Sequence, residues 1–380
     1  KRPPKGLQGV RLGLLCNPAS VDHRFQHSRV RISKRFPGQL QALYSPQHGF
    51  YAEKQDNMVE SAGLVDPVLG IPVYSLYGTT RWPTQEMFDP IDWLLVDIQD
   101  VGTRVYTFIY TMAYCMEAAT RMGKKIVVLD RPNPAGGAIV EGNVLETEWS
   151  SFVGRYPVPM RHGMTIGELA MLFNEAFGIG CDLSVVPMTG WKRSMFFTDT
   201  RLPWVSPSPN LPTPASALVY PGQVIWEGTN VSEGRGTALP FELMGAPYLN
   251  PQKILSSIKK KDTAGVILRE TGFEPTSNKW CAQFCRGFQI HVTHPSRYLA
   301  FHTSLALLWA ILQVHPDQFS WKSPPYEYEH ERMPIDLILG SRSIRQALES
   351  GIHPGNLRES WKPAITDFIK MRSPYLLYAE

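Results

Sequence analysis

The sequence predicts a two-domain α/β protein, with a Rossmann-like doubly wound sheet in its N-terminal domain and a second, smaller α/β domain after it. At 380 residues the chain is longer than one hydrophobic core usually supports. Short apolar runs alternate with helical patterns through the first half. After about residue 220 the sequence pattern changes, and Gly-rich segments typical of loops appear. We therefore expect domains at residues 6–222 and 223–380.

The individual elements follow from length and periodicity. Six short apolar runs rich in β-branched residues suit buried parallel strands, at residues 10–16, 40–44, 71–74, 93–98, 126–129 and 183–186. Two helices are predicted among them, at residues 103–122, a long segment free of Pro and Gly, and at residues 165–177. The second half predicts helices at 251–260 and 298–314 and strands at 265–268 and 288–292.

Composition excludes several classes of function. The net charge of +4 is small and dispersed, so no nucleic-acid partner is expected. No apolar run reaches 18 residues, so no membrane insertion is expected. Five cysteines, an odd and thinly spread number, favour a cytoplasmic location over a disulfide framework. The chain starts at Lys1, which leaves a periplasmic or secreted protein with a removed signal peptide open.

Cofactor signatures are missing from the sequence. The turn after the first strand reads Cys16-Asn-Pro-Ala-Ser in place of Gly-x-Gly-x-x-Gly, and no phosphate-binding Gly-x-x-x-x-Gly-Lys-Ser/Thr loop occurs. His23 and His27 share a helical spacing but lack a third ligand nearby. We therefore expect no cofactor and no metal.

Polar clusters follow five of the predicted strands. They are Asn17-Pro-Ala-Ser, Ser45-Pro-Gln-His-Gly, Ser75-Leu-Tyr-Gly, Asp97-Ile-Gln-Asp-Val-Gly-Thr-Arg and Asp130-Arg-Pro-Asn-Pro. Open α/β sheets bind ligands at the carboxyl ends of their strands, so these clusters predict one shared site. Polar loops that cluster by chance are the alternative.

Two later segments carry further candidates. Thr165 and Glu168 fit a capping box, which gives Glu168 a structural role and leaves Arg161 and His162 as the better site candidates. Residues 227–242 combine glycines with acidic side chains, an Asn and an Arg. Such glycines let the backbone approach a ligand, although a plain loop is also possible.

Long strings in a fixed order resemble one family. Besides the strand-exit clusters, they include Val105-Tyr-Thr, Ser151-Phe-Val-Gly, Arg161-His-Gly-Met-Thr-Ile-Gly-Glu, Ser206-Pro-Ser-Pro-Asn and Glu227-Gly-Thr-Asn-Val-Ser-Glu-Gly-Arg-Gly-Thr. Together they resemble the NamZ exo-β-N-acetylmuramidases, glycoside hydrolase family 171, over nearly the whole chain. The resemblance implies a cleft between the two domains. It also implies release of N-acetylmuramic acid from the non-reducing end of peptidoglycan fragments, a step in bacterial cell-wall recycling, so the expected partner is a small carbohydrate or muropeptide.

Most glycosidases use two carboxyl groups, and some use the 2-acetamido group of the substrate. We expect Glu227 and Asp100 to be the acids, with Glu233 and Asp97 behind them. Arg104, Arg161 or Arg235 would clamp the lactyl carboxylate of muramic acid. The catalytic candidates are Glu227, Asp100, Gln47, His48, Glu233 and Asp97. The substrate-binding candidates are Asn17, Arg104, Tyr106, Asn133, Arg161, His162, Asn210, Asn230 and Arg235.

One position departs from the family pattern. The strand exit that usually reads Pro-Glu-His-Gly reads Pro46-Gln-His-Gly here, so an amide replaces a carboxyl group at Gln47. If that glutamate is the general acid, its role moves to a neighbour such as Glu53, Asp97 or Asp100. A catalytically silent carbohydrate-binding protein is the alternative. An amidase or esterase lacks support, because no Gly-x-Ser-x-Gly elbow or Cys/His signature occurs.

Overall fold

The computed structural model describes residues 6–380. Its larger sheet contains strands β1 to β6 and β9, in the spatial order β3-β4-β2-β1-β5-β6-β9, and only β3 is antiparallel to its neighbour. Their bounds are Leu12–Cys16 (β1), Leu40–Ser45 (β2), Leu64–Val65 (β3), Pro72–Ser75 (β4), Trp93–Asp97 (β5), Lys125–Leu129 (β6) and Asp182–Val186 (β9). Taken in chain order, the parallel strands follow the doubly wound arrangement 3-2-1-4-5-6, which confirms the predicted Rossmann-like sheet.

The two faces of this sheet belong to two hydrophobic clusters. In β6, Ile126 and Val128 pack into the larger cluster and Val127 into the smaller one. Successive side chains of a strand point to opposite faces, so this alternation marks a sheet covered on both sides. Ile32 and Phe36 cover the smaller cluster.

The α-helices have the following bounds: Ser28–Arg35 (α1), Gln85–Phe88 (α2), Phe108–Met122 (α3), Ile166–Glu175 (α4), Pro214–Gln223 (α5), Pro251–Ser257 (α6), Ala300–Val314 (α7), Pro334–Leu339 (α8), Arg342–Glu349 (α9) and Pro354–Arg372 (α10). Within residues 6–380, none of the helices has both the length and the apolar character needed to cross a membrane.

Two smaller sheets complete the fold. Strands β10 (Leu243–Ala246), β12 (Cys285–Val292) and β11 (Val266–Phe273) form an antiparallel sheet in that order, and helices α5 and α6 contact its central strand β12. Strands β7 (Glu141–Val144) and β8 (Pro159–Arg161) form an antiparallel pair, against which α10 packs. The last helix of the chain therefore returns to the N-terminal half.

Most predicted elements are present, with shifted ends. The six parallel strands, α4, α6, α7, β11 and β12 all overlap their predicted ranges. The helix predicted from residue 103 begins only at Phe108. The preceding residues pair with β8 instead: Thr103 bridges to Arg161, and the Arg104 N–H donates to the Met160 carbonyl at 2.8 Å. This pairing frees residues 105–107 to line the cleft described next.

Candidate active site

A narrow cleft lies between the carboxyl ends of the parallel strands and the C-terminal half. Its walls come from the loop after β2, the segment before α3, the Gly-rich segment after α5 and a turn near residue 327. The polar lining residues are Gln47, His48, Asn57, Tyr106, Thr107, Ser208, Asn210, Tyr220, Glu227, Arg235, Tyr326 and Glu327. Val105, Phe108, Val153 and Phe241 supply apolar wall, so charges inside the cleft are poorly hydrated.

Glu227 is the best-connected carboxylate in the cleft. It lies in a 3₁₀ turn, Val224–Gly228, that continues α5. Its Oε1 accepts from Arg235 Nη2 at 2.6 Å, and its Oε2 accepts from the Tyr326 hydroxyl at 2.6 Å and from Asn57 Nδ2 at 2.9 Å. Ion pairing and two further donors hold this carboxylate in one orientation.

Arg235 links Glu227 to a second carboxylate behind it. Its Nε lies 3.1 Å from Glu233 Oε1, and Lys279 Nζ lies 2.8 Å from Glu233 Oε2. Although burial opposes ionisation, these two cations hold the pKa of Glu233 below its usual value. Glu233, expected from the sequence as a reserve catalytic group, instead lies outside the cleft lining and balances the charge of Arg235.

Gln47 contacts a carboxyl group that the sequence analysis missed. Its Nε2 donates to Glu327 Oε1 at 2.9 Å, and its Oε1 accepts from the Thr107 hydroxyl at 2.7 Å. The Thr107 bond fixes the amide so that its NH₂ group faces Glu327. On the other side, the Tyr77 hydroxyl donates to Glu327 Oε2 at 2.6 Å.

A strained turn presents Glu327 to the cleft. Tyr326 and Glu329 exchange two main-chain hydrogen bonds of 2.9 Å across a two-residue turn. Its central residues, Glu327 and Tyr328, have φ values of 45° and 67°. Such turns usually carry Asn-Gly, and non-glycine residues in this region cost on the order of 1–3 kcal/mol each. Strain of this kind clusters at functional sites.

The two glutamates of the cleft have different environments. Burial raises the pKa of Glu327 to about 7, a shift that nearby Glu227 reinforces and that the hydrogen bonds from Tyr77 and Gln47 limit. Glu227 is instead ion-paired with Arg235. Glu327 can therefore hold a proton near neutral pH, while Glu227 faces a guanidinium group.

His48 is a neutral imidazole beside these groups. Its Nδ1 lies 2.8 Å from the Lys54 carbonyl, which requires a proton on Nδ1 and leaves Nε2 as an acceptor. Burial lowers the pKa of His48 to about 4. Its φ of 77° adds a third left-handed residue to this site, after Glu327 and Tyr328.

Six of the predicted site residues line the cleft: Gln47, His48, Tyr106, Asn210, Glu227 and Arg235. Two predicted arginines lie elsewhere. The guanidinium group of Arg104 donates four hydrogen bonds of 2.7–3.1 Å to main-chain carbonyls. That of Arg161 donates to the carbonyls of Ala135 and Tyr298. Both side chains are buried and lie outside the cleft lining, so the prediction that they clamp a lactyl carboxylate is wrong.

The predicted aspartates also lie outside the lining. Asp97 binds Arg131 through both carboxylate oxygens, at 2.6 and 3.1 Å, and lines a separate pocket at the carboxyl ends of β5 and β6. Asp100 accepts from the Gly102 N–H at 2.8 Å, and its Oδ2 lies 3.5 Å from Nε2 of the buried His162. These positions are a correction to the expected pairing of Asp100 with Glu227.

Three predicted asparagines hold loops. Asn17 closes its turn by accepting from Ser20, and Asn133 donates to the Met164 carbonyl at 2.9 Å. Asn230 donates to the Gln318 carbonyl at 2.9 Å and accepts from Tyr248. These three side chains therefore hold loops and lie outside the cleft lining.

The capping box is confirmed, and it does more than cap. Glu168 accepts from the Thr165 N–H at 3.0 Å and reciprocally its own N–H donates to Thr165. Its other oxygen accepts from Arg193 at 2.7 Å and from the Leu377 N–H at 2.8 Å.

Glu53, an expected substitute acid, instead accepts from the Tyr51 N–H in the loop after Gln47.

Two family models together match nearly the whole length of this chain. The family model described as "Exo-beta-N-acetylmuramidase NamZ, N-terminal" matches residues 12–215, and the corresponding C-terminal model matches residues 218–378. The peptidoglycan β-N-acetylmuramidase NamZ of Bacillus subtilis (strain 168) is 45% identical over 374 residues, which cover 98% of this chain and 88% of that protein.

Two solved structures share the fold. Both are DUF1343 family proteins from Bacteroides fragilis NCTC 9343, and each comparison covers 98% of this chain and 95% of the other. One has a TM-score of 0.87 at 34% identity, and the second has a TM-score of 0.75 at 27% identity. With both family models matched and a 45% identical relative, this chain belongs to the NamZ family of exo-β-N-acetylmuramidases.

Proposed function

We propose that this chain is an exo-acting glycoside hydrolase that releases β-1,4-linked N-acetylmuramic acid from the non-reducing end of peptidoglycan fragments. Family membership supports the activity and the substrate class. The observation that carries the chemistry is a pair of buried glutamates in one cleft, Glu227 and Glu327, held in contrasting environments.

In this proposal Glu327 is the general acid. A proton donor must be protonated at the working pH, and a pKa of about 7 meets that condition near neutrality. The proton passes to the glycosidic oxygen as the bond to the anomeric carbon breaks, and water then adds to that carbon and returns a proton to Glu327. Gln47 and Tyr77 are positioning residues: their hydrogen bonds stabilise the carboxylate that remains after the transfer.

Glu227 is the anionic partner of this acid. Positive charge develops on the sugar ring in the transition state of glycoside hydrolysis, and a fixed carboxylate in an apolar cleft stabilises it strongly. Arg235 and Tyr326 hold that carboxylate in place before substrate arrives. Asp100, the acid expected from the sequence, is replaced in this role by Glu327.

The alternative of a silent binding protein rested on the amide at position 47. Gln47 lies 2.9 Å from the carboxyl group of Glu327, so the cleft keeps two carboxyl groups despite the substitution. This arrangement favours the hydrolase.

Release of free N-acetylmuramic acid from a β-1,4-linked N-acetylmuramic acid–N-acetylglucosamine disaccharide tests the proposal. We expect release by the wild-type protein and losses on the order of 10²- to 10⁴-fold in Glu227→Gln and Glu327→Gln. Binding of the disaccharide without release by the wild-type protein would favour the silent binder.

A further inference from the structure

Residues 49–60, here called the lid segment, reach from the N-terminal half across the cleft. Most of them are exposed and lie in turns or irregular structure. The main-chain carbonyl of Gln55 accepts from Asn210 Nδ2 at 2.7 Å and from Arg235 Nη1 at 3.3 Å. Exposed segments tied by a few hydrogen bonds open at low free-energy cost.

Asn57 places its side-chain amide on the central charges of the cleft. Its Nδ2 donates to Glu227 Oε2 at 2.9 Å, and its Oδ1 accepts from Arg235 Nη2 at 3.3 Å. An acetamido group carries the same kinds of donor and acceptor, but its N–H and its carbonyl lie on opposite edges of one planar unit, so it replaces one of these two contacts at a time. Glu227 therefore offers an acceptor to an amide N–H in this position, and Arg235 offers a donor to an amide carbonyl.

We propose that Asn57 occupies the position that the 2-acetamido group of the substrate takes, and that the lid segment is displaced from the cleft when substrate binds. This inference rests on the proposed function for the identity of the sugar. It assigns to the Glu227–Arg235 pair a binding role in addition to the electrostatic role given above.

The second tie of the lid segment fits the same sugar. Two donors, from Asn210 and Arg235, converge on the single carbonyl oxygen of Gln55. In N-acetylmuramic acid the acetamido and lactyl groups lie on neighbouring ring carbons. A lactyl carboxylate beside the bound acetamido group would accept from these two donors in place of the carbonyl oxygen.

The small size of the cleft supports such a movement. With the lid segment in place, the cavity has a volume of about 30 Å³. That volume holds about two water molecules, whereas small-molecule sites usually offer several hundred Å³. The lid segment and a sugar therefore compete for the same space, and the apparent affinity for the sugar falls with the fraction of closed molecules.

Calorimetric titration with N-acetylmuramic acid tests the competition. Asn57→Ala removes the bond to Glu227, and Asn278→Ala removes a lid tie outside the cleft, the 2.8 Å bond to Asp56. We expect Asn57→Ala to tighten binding by about tenfold and Asn278→Ala to tighten it by a smaller factor. The matched control is Asn356→Ala, an exposed asparagine in α10, with unchanged affinity. Weaker binding in Asn57→Ala would overturn the proposal, because Asn57 would then hold the sugar.

A crystal structure of Asn57→Ala with N-acetylmuramic acid tests the assigned position. We expect the acetamido group to contact Glu227 or Arg235 in the space that the Asn57 amide fills in the wild-type protein, and any other part of the sugar there would overturn the assignment. A wild-type protein that binds this sugar as expected but cleaves no substrate would refute the proposed function alone. If the wild-type protein cleaves substrate but Asn57→Ala binds N-acetylmuramic acid more weakly, the proposed displacement of the lid segment alone would be refuted.

Discussion

The substitution Gln47→Glu tests the acid assignment through the pH profile. In the wild-type protein the Gln47 amide donates to Glu327 at 2.9 Å, and this bond stabilises the ionised acid. The variant replaces that donor with a second carboxyl group at the same place. Two carboxyl groups at this distance cannot both ionise readily, so the pair should share one proton near neutral pH.

The magnitude follows from two contributions with the same sign. Loss of a hydrogen bond to a charged group removes about 1.5–3 kcal/mol of stabilisation, or about one to two pKa units. Two carboxylates about 4 Å apart repel by about 4 kcal/mol at an effective dielectric constant of about 20. Starting from a pKa of about 7 for Glu327, we expect the upper pKa of the pair to rise by at least about one unit.

The assay is the pH dependence of kcat/KM on a β-linked muramide. General-acid activity is lost as pH rises through the pKa of the acid, so the alkaline limb should lie near pH 7 in the wild-type protein and higher in Gln47→Glu. Gln85→Glu is the matched control, because exposed Gln85 also donates to a carboxylate, that of Asp89 at 2.5 Å. An unmoved alkaline limb, or strong activation at every pH, would refute the assignment of Glu327.

Three further changes separate structural from functional roles. Glu168→Ala should lower the free energy of unfolding by about 3–5 kcal/mol in denaturant titrations, because Arg193 is left buried without its partner. Loss of the cap alone would cost roughly 1 kcal/mol, so a loss of only that size would show that the ion pair is dispensable. Tyr77→Phe should raise the alkaline limb by about one unit or more, since its 2.6 Å bond lowers the pKa of Glu327, and a downward shift would contradict this sign. Asn210→Ala should reduce the ratio of affinities for N-acetylmuramic acid over N-acetylglucosamine by about tenfold, and an unchanged ratio would exclude Asn210 as a ligand of the lactyl group.

The parallel sheet and the edge that carries the cleft were predictable from the sequence. Strand exits such as residues 45–49 can be recognised in the sequence because a polar cluster follows an apolar run. Parallel strands bring their carboxyl ends to one edge of the sheet, so these clusters are expected to lie together. Glu227 stood out for a similar reason, as a carboxylate within a Gly-rich segment. At Gly228 a side chain would meet the backbone of Ile335 at 2.8 Å, which accounts for one of those glycines by close packing.

Arg104 shows why other candidates failed. Polar residues in family strings look alike whether they contact a ligand or a carbonyl group, and only the tertiary structure distinguishes them. The pairing of Thr103 with Arg161 draws residue 104 into the interior, where main-chain carbonyls satisfy its guanidinium group. The length of the segment and its lack of Pro and Gly predicted a helix here, but the long-range pairing with β8 overrides that local preference.

Glu327 was missed for the opposite reason. It lies 280 residues from Gln47 in the sequence, in a segment with neither helical nor strand periodicity. The available signal was compositional: residues 324–329 read Pro-Pro-Tyr-Glu-Tyr-Glu, with a carboxyl group between two aromatic residues in a Pro-rich segment. Aromatic neighbours can bury a carboxyl group and raise its pKa, which makes such a segment a candidate source of a general acid.

The most direct test of Glu327 as the proton donor is the dependence of rate on the leaving group. Kcat/KM is measured for wild-type protein and Glu327→Gln on two muramides, one with an N-acetylglucosamine leaving group and one with a nitrophenol. Sugar alkoxides need protonation to leave, whereas nitrophenolate leaves without it, so a lost general acid affects only the first strongly. We expect a loss on the order of 10²- to 10⁴-fold on the disaccharide and a far smaller loss on the nitrophenyl substrate. Equal losses on both substrates would contradict the assignment of Glu327 as the acid.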